Sequence, residues 1–272
     1  MDPAREVPRQ VWRDAAASDG TRTVAEETPI AMTYNRTTYA VMMATPADLE
    51  DFAIGFSLTE RVIQRADQID EIEIVEVADG IELRMWMDAD RVSAVERRLR
   101  RIAGPTGCGL CGIDSLAEAA RPPAPVSGDL RCSAEDLLAA MRLMAPGQVL
   151  NHATRAVHAA GFWRPGSPGL IALREDVGRH NALDKLAGAL ARAGQDPSDG
   201  AVLLTSRISV ELVQKAAAIG APVLAAVSAP TSLALRTAEA AGITLAGIVR
   251  PDGFELFTHP RRIRMEAARA AG

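Results

Sequence analysis

The chain has little cysteine, few aromatic residues and no long apolar run, and each shortage removes a class of protein. Three cysteines among 272 residues are an odd number and do not make the disulfide framework of a secreted scaffold, so reduced thiols are expected. Aromatic residues form 4% of the sequence, which leaves few stacking platforms for single-stranded nucleic acid. A formal net charge of -5 gives no general attraction to a phosphate backbone, so no nucleic-acid partner is expected. No window approaches the roughly 18 consecutive apolar residues of a membrane span, and Met1–Gly20 lacks the apolar centre of a signal peptide. A cytoplasmic protein without membrane contact is the expectation.

What is present suits one large or two smaller α/β domains, with 48% hydrophobic and 24% charged residues. Residues 1–25 are polar without a sustained apolar period, which predicts a flexible arm. Residues 26–125 read as an α+β part. Ile30, Met32 and Tyr34 alternate, pass Asn35-Arg36, and resume at Tyr39, Val41 and Met43, as in a β-hairpin. Thr45-Pro46-Ala47-Asp48 starts a helix with Thr45 as its cap, and a second hairpin turns at Asp79-Gly80. A helix over Val92–Ile102 leads to a glycine-rich loop, and Arg121–Pro125 reads as a linker. In residues 126–272, a helix over Ser133–Ala145 precedes strands near Ala156–Trp163 and Leu170–Arg174 and a helix from about Asn181. The apolar runs Ala201–Thr205, Pro222–Val227 and Ile243–Val249 then alternate with helices. Such runs predict strands buried on both faces of a largely parallel sheet, with ligands beyond their carboxyl ends.

The segment Gly107-Cys108-Gly109-Leu110-Cys111-Gly112 concentrates chemistry. Three glycines cost folding entropy and pack nothing, so they fit a loop that bends or admits a ligand. Two thiols suit a thiolate nucleophile such as a persulfide carrier, and Arg97, Arg98, Arg100 and Arg101, nearby in the sequence, are candidates for the positive field it needs. Other readings stay open. A structural zinc site wants four ligands, and only Cys132 and scattered histidines remain. A thioredoxin-like pair belongs at a strand-to-helix junction, and two inert loop cysteines need no function at all.

Asp176–Lys185 is the densest polar block of the second half. Gly178 permits a turn, Asn181 suits a cap, and Arg179 and His180 stand where a helix N-terminus attracts anions; a solvated turn is the plainer reading. His158 lies in an apolar run and reads as a core histidine. Ser206-Arg207 and Ser228 to Thr231 follow strands, where hydroxyls cap helices or meet phosphate. Phe257-Thr258-His259-Pro260-Arg261-Arg262 places an aromatic ring and guanidinium groups after the last run.

Read together, these blocks resemble the FdhD family of formate dehydrogenase accessory sulfurtransferases. The likeness covers roughly residues 27–263, from Glu27-Thr28-Pro29-Ile30 and Ala44–Leu49, through Gly107–Gly112 and Asp176–Lys185, to Ser228–Thr231 and Thr244–Gly247. It implies an enzyme, a sulfurtransferase in which Cys108 takes sulfane sulfur from a cysteine desulfurase as a persulfide, with Cys111 beside it. The sulfur then passes to the molybdenum of a bis-(pyranopterin guanine dinucleotide) cofactor, held as a bound substrate, for delivery to formate dehydrogenase. It also implies a homodimer, no structural metal, and a second half similar to the three-layer α/β/α sandwich of cytidine deaminases. Neither the His-x-Glu nor the Pro-Cys-x-x-Cys zinc signature of those enzymes is present. A guanine dinucleotide end, or GDP as its analogue, is then expected at Arg179, His180, Ser206, Arg207, Ser228, Thr231, Phe257, Thr258, His259 and Arg262. Where the family tends to have Thr-Gly-Gly before the strand histidine, this chain has Thr154-Arg155-Ala156. The rivals are a chaperone that shelters the cofactor without transferring sulfur, and a nucleotide hydrolase on the same sheet.

Overall fold

The computed structural model describes residues 1–88, Arg91 and residues 123–265. The helix expected over Val92–Ile102, the loop with Cys108 and Cys111, and the start of the linker lie outside them.

Strands β1 (Ala4–Arg13) and β2 (Ala16–Ala25) pair antiparallel in unbroken register. The arm expected over residues 1–25 is thus a regular hairpin, turned at Asp14 and Ala15, both at positive φ. Apolar periodicity missed it because charged and polar residues interrupt the apolar ones on both faces, leaving neither with a continuous apolar stripe.

Strands β3 (Thr28–Tyr34) and β4 (Thr37–Ala44), helix α1 (Leu49–Thr59), and strands β5 (Glu71–Val77) and β6 (Gly80–Trp86) follow. The four strands form one sheet in the order β4-β3-β6-β5, with β3 and β6 parallel. Alternate residues Ile30, Met32, Tyr34, Ile81, Leu83 and Met85 turn one face onto Phe52 and Phe56 of α1. Asn35 makes the first turn at φ 53 and bonds Met87 through both ends of its amide. The second turn sits one residue earlier than expected, since Val77 pairs with Gly80. Thr45 does not cap α1. The helix starts four residues later, after Asp48 at φ 54, and Thr45 serves the second half of the chain instead.

That half contains β7 (Cys132–Ser133), α2 (Ala134–Arg142), α3 (Met144–Gly147), α4 (Val149–Thr154), β8 (His158–Trp163), β9 (Ala172–Asp176) and α5 (Arg179–Arg192). It continues with β10 (Ala201–Leu204), α6 (Val210–Ala218), β11 (Val223–Ala226), α7 (Ser232–Ala241), β12 (Thr244–Arg250), β13 (Gly253–Thr258) and β14 (Ile263–Arg264). Ser133 and Asp136 cap α2 reciprocally, each side chain accepting the other's backbone N–H at 3.1 Å. Six strands form a sheet in the order β13-β12-β11-β10-β8-β9. Only the β10–β11 and β11–β12 pairings are parallel, so the sheet is mixed rather than largely parallel. The short β8–β9 and β12–β13 connections force antiparallel neighbours, because a parallel return needs a crossover of a dozen residues or more. One face, with Phe162, Val202, Leu204 and Leu224, packs on α5, α6 and α7. The other, with Trp163, Leu203, Val223 and Ala225, packs on α2.

Helix α1 crosses α5 at two glycines. A Cβ on Gly55 would lie 1.7 Å from the Asp184 carbonyl oxygen, and one on Gly188 would lie 1.9 Å from that of Asp51. Neither contact is relieved by a side-chain rotation, so only glycine lets these backbones approach. Gly55→Ala is expected to cost ~1–3 kcal/mol in urea unfolding; an unchanged midpoint would show that the helices can part freely.

Candidate functional site

The Asp176–Lys185 block is a buried frame that carries two half-buried groups, Arg179 and His180. Asp176, fully buried, accepts from the backbone N–H of Thr45 at 3.0 Å and of Gly178 at 2.7 Å, and from the Asn181 amide at 3.0 Å. Lys185, also fully buried, pairs with Asp176 at 2.7 Å and donates to the Thr45 carbonyl at 2.8 Å. Asn181 donates to the Met43 carbonyl, and the Thr45 hydroxyl accepts from Val177 N–H. Asn181 is therefore not the cap; Gly178 takes that position. The network ties the end of β4 to the start of α5. A second buried pair, Lys215 with Asp184 at 2.9 Å, is joined by Thr59 and Glu60 and ties the end of α1 to α6.

On this frame, Arg179 and His180 occupy the first turn of α5, where unpaired backbone N–H groups favour an anion. The buried Nε of Arg179 has no hydrogen-bond partner among the described residues. His180 Nε2 lies 3.3 Å from the Ser209 hydroxyl and 3.8 Å from Glu211. Burial, reinforced by Arg179, lowers its pKa to about 4, so the ring is neutral at physiological pH. His158 at the head of β8 is half-buried, and its pKa is lowered by burial and by the charges of Arg179 and Arg207. It is half-buried at the strand end rather than enclosed in the core, which the apolar run around it concealed.

Sites at adjacent strand ends are zipped together. Val227 N–H donates to the Leu204 carbonyl, Ile208 N–H to Ala229 and Thr231 N–H to Ile208, so the loops after β10 and β11 run side by side. Ser206 is buried and donates to the Arg207 carbonyl, while the Arg207 side chain is exposed. Thr231 caps α7 through the Ala234 N–H at 3.2 Å. The Ser228 carbonyl accepts from Ile248, a β-branched residue held at φ 51 in the bulge of β12. Such backbone is strained and persists only when its surroundings impose it.

The Phe257–Arg262 segment is divided between two places. The Phe257 ring, 37% exposed, lies over Gly247 beside Pro230, where a Cβ on Gly247 would meet the ring at 2.9 Å and Pro230 at 3.0 Å. This joins Phe257 to the strand-end loops. Thr258, His259 and Arg262 lie at the opposite, amino-terminal edge of the parallel strands. The Thr258 hydroxyl donates to the Ile243 carbonyl and accepts from Leu245 N–H. Arg262 is buried and donates to the carbonyls of Gly128 and Gly242 and to the Thr244 hydroxyl. His259, at φ 44, places Nε2 2.9 Å from the Glu239 carbonyl. Gly128 also lines an open groove of about 520 Å³ with Arg131, Arg164 and Ser198. Thr258 and Arg262 thus shape this edge, while Phe257 and His259 keep partly exposed rings.

Among the described residues no cluster of His, Cys, Asp and Glu could hold a metal ion, and no helix is long and apolar enough to cross a membrane. Cys132 is buried, and burial pushes its thiol up to about 11, which leaves it protonated and unreactive.

The features define a mixed α/β protein with cationic and hydroxyl groups at its strand ends and two closely spaced cysteines in its sequence. The chain belongs to the FdhD/NarQ family, whose model matches residues 25–264. It is 50% identical over 261 residues to the sulfur carrier protein FdhD of Agrobacterium fabrum, spanning 95% of this chain and 96% of the relative. The protein of the same name from Brucella abortus is 52% identical over 261 residues, spanning 96% and 97%. The crystal structure of a putative formate dehydrogenase accessory protein from Desulfotalea psychrophila superposes with a TM-score of 0.76 at 28% identity, covering 96% of this chain and 99% of that one.

Proposed function

We propose that the chain is a sulfurtransferase in which Cys108 carries sulfur from a cysteine desulfurase to the molybdenum of a bis-(pyranopterin guanine dinucleotide) cofactor destined for formate dehydrogenase. The reading rests first on near full-length likeness to relatives named as sulfur carriers, in a chain whose closely spaced thiols are Cys108 and Cys111. The Cys108 thiolate attacks the outer sulfur of the donor persulfide; the new S–S bond forms as the donor cysteine leaves as a thiolate. The protein acts in the cytoplasm as a homodimer, and its second half is a deaminase-like sandwich put to a different use.

The cofactor is cargo with two diphosphates, and the strand-end groups suit an anion. Arg179 has an unmatched donor, Arg207 is exposed, and neutral His180 can donate or accept. Ser206, Ser228 and Thr231 frame those groups, with Phe257 supplying a ring for the guanine to stack on. Thr258 and Arg262 brace the amino-terminal edge of the parallel strands, away from these groups, and His259 is partly exposed on that edge. Arg207→Ala is expected to weaken GDP binding roughly tenfold in calorimetry, the worth of one charge-assisted hydrogen bond. Equal affinity in both proteins would remove Arg207 from the site.

A pH signature accompanies His180. An unfolded imidazole titrates near 6.5, whereas the folded one titrates at about 4, so unfolding takes up a proton between these values. Stability should be level above about pH 6.5 and fall as pH drops toward about 4, with His158 acting in the same direction. His180→Gln should flatten this slope in urea titrations; a slope identical to wild type would assign it elsewhere.

A further inference from the structure

The N-terminal hairpin has a one-signed face. Strand alternation puts Arg5, Val7, Arg9, Val11 and Arg13 on one side of β1, and their cross-strand partners add Arg22 and Val24. No acidic residue shares that side. Arg5 pairs with Glu26, and Arg22 donates to the Thr154 carbonyl at the base of the hairpin. Arg9 and Arg13 are exposed and have no acidic partner among the described residues. Trp12, on the other side near the turn, is 73% exposed. A lone two-stranded ribbon is marginally stable in water, so a surface that covers it contributes to its order.

A matching surface exists on the same chain. Residues 1–25 hold four arginines and four acidic residues (Asp2, Glu6, Asp14, Asp19), so the net charge of -5 lies in the remainder. The outer face of the β4-β3-β6-β5 sheet carries Glu71, Glu73 and Glu82, with Arg84 shared between Glu73 and Glu82. Val41, Met43 and Val77 on that face are exposed. This face therefore offers acid and apolar area together, as the hairpin offers base and valine.

We infer that the basic face of the hairpin lies across the acidic outer face of this sheet in a second copy of the chain, with the two arms exchanged about a twofold axis. The inference rests on the homodimer reading above and adds its interface. A ten-residue strand pair is roughly 34 Å long and about 10 Å wide. Two such contacts bury roughly 1,300 Å² in total, within the range of specific interfaces. Face-to-face packing sets Val7 and Val11 against the exposed valines while Arg9 and Arg13 meet Glu71 and Glu73.

The test is light scattering and sedimentation of the full chain at several concentrations and salt levels, with far-UV circular dichroism as a check on folding. Arg9→Glu with Arg13→Glu should weaken dimerisation at least tenfold, and so should Glu71→Arg with Glu73→Arg. Mixing the two double variants in one chain should restore the dimer, an outcome that misfolding cannot produce. A dimer indifferent to every reversal overturns the arm exchange and leaves the homodimer standing. A monomeric wild type overturns both, and its binding to phosphatidylserine vesicles through Arg9 and Arg13 would assign the face to a membrane. Failure of the combined variant to recover overturns the pairing of these two faces.

Discussion

Cys108→Ala should abolish activation of formate dehydrogenase by this chain, a loss of two orders of magnitude or more, whereas Cys111→Ala should leave a measurable fraction. The carrier sulfur must be a thiolate to accept and must itself bear the persulfide, so no neighbouring residue can replace it. Cys111, three positions on, can attack the loaded persulfide or protect it, which makes its loss costly but not total. Cys132→Ala should be silent, because that thiol is buried and its pKa is pushed to about 11. The assay is activation of an apo-type formate dehydrogenase by each variant after loading with a desulfurase and cysteine. Full activity in Cys108→Ala would leave the cofactor chaperone as the better reading.

Lys185→Met should destabilise the fold by ~3–5 kcal/mol in urea unfolding, because it leaves the Asp176 carboxylate buried without its counter-ion. The three N–H donors to Asp176 remain, so the lower end of that range is expected. Adding Asp176→Asn should recover part of the loss, since the uncompensated charge disappears while the size is kept. A loss of only ~0–1 kcal/mol, the worth of an exposed pair, would contradict the buried frame. The loss should also reach the site, because this frame positions Arg179 and His180.

Much of this architecture is legible in local pattern. The alternation of Ile30, Met32 and Tyr34, the apolar runs that became β10, β11 and β12, and the turn at Asn35 all depend on neighbours in sequence. What escaped depends on distant partners. Thr45 looks like a helix cap until Asp176, 131 residues away, claims its N–H. Arg262 and Thr258 look like ligand groups, but carbonyls elsewhere in the fold occupy them. His158 looks like core because its strand is apolar, yet it stands half-buried at the strand's end. Single-sequence periodicity carries no information about which end of a sheet a residue reaches. The basic face of the hairpin was readable in principle from the arginine at every fourth position, once an arm without an apolar stripe is allowed to be a strand.

The central claim is that Cys108 carries sulfur, and intact-mass spectrometry tests it most directly. Incubating the full chain with a cysteine desulfurase and cysteine should add the mass of one sulfur atom, removable by a thiol reductant and mapped by digestion to Cys108. The same gain should be absent from Cys108→Ala and present in Cys132→Ala. No added mass under conditions that load a known persulfide acceptor, or an undiminished gain in Cys108→Ala, would contradict the account.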